Sequence, residues 1–161
     1  MALENVLPAG ADTLLTISGL GGFKYQARGL RQKFYVIKEA IQLKRTINGV
    51  LTDISNPAFR LYGTKIVVPS DVNAPPLDNL WPGAQITINS AGCFSYLNGN
   101  PGSPGREAVT GSMYEENGYT FYQPVLTCLV VEPDLGDFDE WGCAYTWGLQ
   151  AEEIGPANFD D

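Results

Sequence analysis

Apolar and polar positions alternate most cleanly over residues 84–90, AQITINS. Ala84, Ile86 and Ile88 fall on one side there, and Gln85, Thr87 and Asn89 on the other. A period of two is the strand period, and one dry face with one wet face marks a half-buried strand. Residues 141–149 repeat the pattern with larger residues. Trp141, Cys143, Tyr145, Trp147 and Leu149 share one face, which predicts a core contact, and Gly142, Ala144, Thr146 and Gly148 share the other. A face of such small residues permits close approach of another sheet or another subunit. The largely apolar stretch 125–131 predicts a strand buried on both faces. Further strands are expected at 11–18 (ADTLLTIS), 64–68 (TKIVV, stopped by Pro69), 93–97 (CFSYL) and 119–122 (YTFY), with an edge strand over 107–114.

Residues 23–48 are ambiguous. Leu30, Phe34, Ile37 and Ile41 have helical spacing, whereas Ile41, Leu43 and Ile47 have strand spacing. The strand formers in Phe34-Tyr-Val-Ile37 favour strands. Asn48-Gly49, set between RTI and VLTDI, predicts a hairpin, because both turn positions need φ > 0. Asn117-Gly118 predicts a second. Ser55-Asn-Pro57 reads as a helix start, with a cap and a first-position proline, good for one or two turns before Gly63. Two long loops are expected. One is 69–83, where Trp81 buries its ring as an anchor, and the other is 98–105, NGNPGSPG. Residues 1–10 read as an N-terminal arm, 132–140 as an acidic loop and 152–161 as an acidic tail. The sum is roughly eight to ten short strands, which predicts a mainly β fold: a single-domain β-sandwich or β-barrel over 1–161 with at most one short helix.

Composition agrees: the 161 residues include 18 Gly and 11 Pro, and 17% are charged. That is less than the roughly 25% of an average globular chain. There is no histidine, which removes Ser-His-Asp and Cys-His nucleophiles, imidazole bases and histidine metal ligands. Cys93, Cys128 and Cys143 have neither CxxC nor zinc spacing and read as three small buried apolar residues. No apolar run reaches the ~20 residues of a membrane span. The opening Met1-Ala-Leu-Glu-Asn has no basic and apolar leader pattern. Neither a membrane segment nor a signal peptide is therefore expected.

The net charge of −8 is unevenly distributed. Residues 1–65 hold nine of the ten basic residues and four acids, a balance of +5; residues 66–161 hold Arg106 and fourteen acids, a balance of −13. Three readings stand. The charges mix on an ordinary solvated surface, or a basic face meets nucleic acid, or a basic patch on one copy meets an acidic patch on the next. Overall acidity argues against nucleic acid, because phosphate binding needs positive potential. Head-to-tail contacts between complementary patches generate rings or filaments.

Few residues suggest chemistry. Asp134, Asp137, Asp139 and Glu140 offer oxygens to a hard cation, but Gly136 breaks the EF-hand spacing, so a solvated acidic loop is the simpler reading. Glu115-Glu116 and Asp139-Glu140 supply carboxylates of the kind glycosidases pair, with no sign of a shared cleft. Gly19, Gly21 and Gly22 do not complete a dinucleotide fingerprint, and Ser103 and Ser112 lie outside any nucleophile motif. Tyr25, Phe34 and Tyr35 lie among Lys24, Arg28, Arg31 and Lys33, a basic–aromatic mixture that strand packing explains. No catalytic residue, metal ligand or cofactor is assigned.

Four segments, LKRTINGVLTDISNPAFRLY (43–62), LWPGAQITI (80–88), GYTFYQPVLTCLVV (118–131) and DEWGCAYTWGLQAEE (139–153), together resemble small virion proteins of tailed bacteriophages. The resemblance covers roughly residues 23–153. It implies a non-enzymatic β-rich structural subunit of the virion, in the tail or baseplate, that forms rings or tubes by self-complementary contacts. Capsid decoration or a head-to-tail connector is the alternative structural role, and a carbohydrate-binding module the alternative of another class. The implied partners are copies of the chain and other virion proteins, with no membrane and no sequence-specific nucleic acid. Genomic DNA would be met only passively, inside a tube. The expected interface residues are Lys24, Arg28, Arg31, Lys33, Trp81, Asp137, Asp139 and Glu140, drawn with others from the arm 1–10, the loops 69–83 and 98–105 and the basic run Lys24 to Lys44.

Overall fold

The computed structural model describes residues 15–17, 30–71 and 77–155. Eleven strands occur among them, all paired antiparallel, in three open sheets with no closed barrel. The largest sheet has six strands. It contains β1 (Thr16–Ile17), β2 (Arg31–Val36), β5 (Tyr62–Asp71), β6 (Gln85–Asn89), β10 (Val125–Asp139) and β11 (Ala144–Glu153). Their spatial order is β1-β6-β10-β11-β5-β2. β3 (Leu43–Arg45) and β4 (Leu51–Asp53) form a separate hairpin. β7 (Phe94–Leu97), β8 (Tyr114–Glu116) and β9 (Tyr119–Tyr122) form a three-stranded sheet in the order β7-β9-β8.

The core follows from strand alternation. Register places Ile17, Ile88 and Leu126 in one row across β1, β6 and β10, and Thr64, Ala151 and Val130 in another across β5, β11 and β10. Both rows are buried, together with Ile66, Val68, Ile86, Cys128, Trp147 and Leu149. Leu80, just after a one-turn 3-10 segment at Leu77–Asn79, completes the cluster. The opposite face of this sheet is wet and charged. On it, Lys33, Lys65, Gln150 and Glu132 line up across β2, β5, β11 and β10.

Both Asn-Gly hairpins form, but in the first only Gly49, and not Asn48, takes φ > 0. Gly49 has φ +79°, and Asn117 and Gly118 have φ +53° and +81°. The described part of the ambiguous stretch, residues 30–48, holds β2, a 3-10 turn at Lys38–Ala40, and β3, and residues 23–29 lie outside the described residues. The expected helix start is a single 3-10 turn, Pro57–Phe59, in which the Asn56 side chain accepts the Ala58 amide at 3.0 Å. No α-helix occurs among the described residues, and no helix there is long and apolar enough to cross a membrane.

Several expectations are corrected. The acidic segment 132–140 is not a loop, because β10 continues through it to Asp139, paired with β11. Glu152 and Glu153 belong to β11 rather than to a tail, and Pro69–Asp71 belong to β5 rather than to a loop. The stretch 125–131 is half-buried: Leu126, Cys128 and Val130 face the core, while Leu129 and Val131 are exposed. Over 107–114 only Ala108 bridges to Pro124 before β8 begins. Of the cysteines, Cys128 alone is buried, and all three are free thiols. Trp81 does not bury its ring, being 74% exposed, and Trp141 leaves the core face entirely at 98%. The expected strand over 11–18 is described only at Thr16–Ile17, and the arm 1–10 lies outside the described residues.

Leu149 and Val131 separate burial from hydrophobicity. Leu149→Ala is expected to cost about 2–5 kcal/mol, the range for a buried leucine that leaves a cavity. Val131→Ala, on the wet face, is expected to stay within about 0.5 kcal/mol. Urea unfolding of the two variants measures both.

Candidate assembly surface

The β3–β4 hairpin folds on its own hydrogen bonds. The Thr46 and Gly49 amides donate to Val50 O and Thr46 O, both at 2.9 Å, and Arg45 Nη1 donates to Gly49 O at 2.9 Å. At its base Ile54 N donates to Gln42 O, and Gln42 N donates to Ser55 Oγ, both at 2.9 Å. Hydrogen bonds from the Ser55 hydroxyl and amide, with Arg60 nearby, hold the Asp53 carboxyl below its usual range. Every residue from 41 to 53 is exposed, including Ile41, Leu43, Ile47, Val50 and Leu51. A two-stranded hairpin is marginal alone, and clustered exposed apolar residues mark an interaction surface.

A concave groove of about 300 Å³ lies where this hairpin meets the sheet. Val36, Ile41, Leu43, Leu61 and Tyr62 make it apolar, and Asp53, Ser55 and Arg60 supply its polar groups.

The β10–β11 tip is a second exposed hairpin. β10 runs ten residues beyond Leu129, its last pair with β6. Gly136, at φ +61°, is required there, since a Cβ would lie 1.4 Å from Thr146 O. The Phe138 and Tyr145 rings meet at 4.6 Å, and Asp139 Oδ1 accepts the Trp141 amide at 3.0 Å. Leu135, Phe138 and Trp141 are exposed among Asp134, Asp137, Asp139 and Glu140.

An aromatic cleft of about 510 Å³ lies beside the groove, between the end of the large sheet and the three-stranded sheet. Phe34, Tyr62, Phe94, Tyr96 and Tyr122 line it, with Arg106. Phe94 packs against Phe34 at 4.8 Å and Tyr62 at 5.1 Å. Arg106 holds the wall. Its Nε and Nη2 donate to Glu153 Oε1 and Oε2 at 2.6 and 2.8 Å, and Nη2 also reaches Arg60 O at 2.9 Å. Burial works against the guanidinium charge, but the Glu153 carboxylate outweighs it and raises the Arg106 pKa. One strand away, Cys128 is opposite Glu153. Burial, reinforced by the Glu153 and Glu152 charges, pushes its thiol up to about 12.

The expected interface residues fall into separate places. Asp137, Asp139 and Glu140 sit together on the β10–β11 tip, on strand and turn. Arg31 and Lys33 lie on the wet face of β2, opposite Val67 and Lys65. Their rows end in Asp134 and Glu132, only three strands or roughly 14 Å away. The basic and acidic blocks of the sequence therefore share this face, basic on β2 and β5 and acidic on β10. Trp81 is exposed in the turn before β6, where Gly83 N donates to Val130 O at 2.8 Å. Lys24 and Arg28 lie outside the described residues. The groove and the cleft were not anticipated as concavities, although Val36, Ile41 and Leu43 lie in the expected run Lys24 to Lys44. The signals were the fully apolar-flanked Asn-Gly hairpin and Arg106, the one base after residue 65.

Among the described residues, no group of three or more His, Cys, Asp or Glu is placed to hold a metal ion. No protein family, curated protein or solved structure matches the chain.

Arg106→Ala leaves a buried carboxylate uncompensated and is expected to cost about 3–5 kcal/mol in urea unfolding. Cys128 gives an alkaline signature. Its thiol ordinarily titrates at 9.0, but in the fold it holds its proton to about 12. Between those values the unfolded chain alone is deprotonated, so stability falls with rising pH by at most about 1.4 kcal/mol per pH unit. Cys128→Ala is expected to flatten that part of the stability–pH curve relative to the wild type.

Proposed function

We propose that this chain is a structural subunit that assembles with copies of itself, as the resemblance to phage tail and baseplate proteins implies. The observation that carries this reading is the pair of projecting hairpins with exposed apolar side chains, Ile47, Val50 and Leu51 on one and Leu135, Phe138 and Trp141 on the other. The β3–β4 hairpin is held by its turn and base hydrogen bonds, and the β10–β11 tip by its ladder and by the pairing of β11 with β5 as far as Asp71, so each is a preformed element and associates with little ordering cost. Exposed apolar area of this kind gains free energy when a neighbour covers it, at about 25 cal/mol per Å². The role is mechanical rather than catalytic, and its place is the virion.

A second reading has one observation in its favour. Trp141 is an exposed aromatic platform beside Asp139 and Glu140, the arrangement a carbohydrate-binding module uses. Stacking of a sugar ring on Trp141 would occur in an isolated monomer.

Sedimentation velocity over a range of concentrations tests the two. Assembly predicts species that grow with concentration, seen as rings or tubes by negative-stain imaging. Ile47→Asp with Leu51→Asp is expected to weaken that association at least tenfold, while urea stability changes by less than about 0.5 kcal/mol. A monomer at every concentration whose tryptophan emission shifts on adding oligosaccharides supports the second reading instead.

A further inference from the structure

We infer that the interface between copies is head-to-tail: Trp141 of one copy enters the groove at the base of the β3–β4 hairpin of the next. This rests on the assembly reading above and names its contact.

Three observations carry it. First, knob and hole match in size and character. Trp141 is 98% exposed at the tip of a stiffened hairpin. The groove, about 300 Å³ and walled by Val36, Ile41, Leu43 and Leu61, has room for one indole ring system. Second, the polar groups are complementary. Asp139 and Glu140 directly precede Trp141, and the groove is lined by the cation Arg60, which also faces Asp53. Asp53, held ionised by Ser55, offers an acceptor for the indole N–H, a donor that needs a partner when buried.

Third, the two features lie at opposite ends of one strand. β11 leaves the tip at Ala144 and ends at Glu153, and its penultimate residue Glu152 pairs with Gly63, two residues from Leu61. Ten strand residues span about 30 Å. A copy therefore cannot fill its own groove, whereas a neighbour displaced along the strand direction can. Each copy then presents one free knob and one free hole, the condition for a heterologous contact that propagates into rings or filaments.

Two single variants test this in the full chain. Trp141→Ala lacks the knob and keeps the hole. Leu43→Glu keeps the knob and places a carboxylate in the hole. Both positions are exposed, and far-UV circular dichroism with urea unfolding confirms that each variant folds. Each alone is expected to associate at least tenfold more weakly than the wild type. Mixed together they are expected to form a dimer of one copy of each and nothing larger, because each supplies the half the other lacks. Variants that are monomeric alone and stay so when mixed would overturn the head-to-tail contact. Variants that assemble like the wild type would also overturn it and leave the assembly reading standing. A wild-type chain that never associates overturns both.

Discussion

The antiparallel ladder between β10 and β11 is the constraint on which the other features depend. It runs from Cys128 opposite Glu153 to Asp139 opposite Ala144. Near Cys128 it lies inside the six-stranded sheet, flanked by β6 and β5, and its inward side chains build the core. Farther along, β10 has passed the end of its pairing with β6, yet the backbone hydrogen bonds to β11 continue. The same two strands thus anchor the fold at one end and present Trp141 at the other. Two register irregularities, at Val130/Glu132 and Asp134/Asp137, mark this change. Bulges bend and twist a strand pair and re-aim its side chains. The second is possible only because Gly136 lets Thr146 O approach where a Cβ would stand.

The far end of β11 is fixed by charge rather than by apolar packing. Arg106 and Glu153 neutralise each other in a site where either alone would be costly, and Arg106 also engages the carbonyls of Arg60 and Gly105. One guanidinium thus ties the loop 98–105, the segment before β5 and the end of β11 into one wall. The aromatic cleft lies on one side of that wall, and Val36 and Tyr62 are shared with the apolar groove beyond it. Cohesion at this end comes from hydrogen bonds and ring edges.

Much of the secondary structure was legible in local pattern. The alternation in 84–90 placed β6 and its buried Ile86 and Ile88, and the Asn-Gly pairs placed two hairpins because each supplies a glycine that takes φ > 0 in the turn, joined by Asn117 in the second. The mainly β class followed from many short periodic segments separated by glycine and proline. Less of the candidate site was legible. Asp137, Asp139 and Glu140 were picked out as an acidic loop and are on one hairpin end, but the groove near the other end of β11 contains none of the eight residues singled out. Its walls, Val36, Ile41, Leu43 and Leu61, look in sequence like any other strand residues.

The sequence by itself determined periods and turns, since these depend on backbone sterics and on side chains within a few residues. Only the tertiary structure decided which apolar residues are covered. Val130 and Val131 are neighbours of identical chemistry, yet one is buried and the other open, because burial depends on what stands opposite in space. Trp81, Trp141 and Trp147 make the same point: one ring of three reaches the core. Charge obeys the same rule. Cross-strand register sets Lys33 and Lys65 in a row with Glu132, so two blocks separated along the chain become neighbours. Electrostatic and hydrophobic free energies depend on distance in three dimensions, and the pairing of β2, β5, β11 and β10 sets those distances.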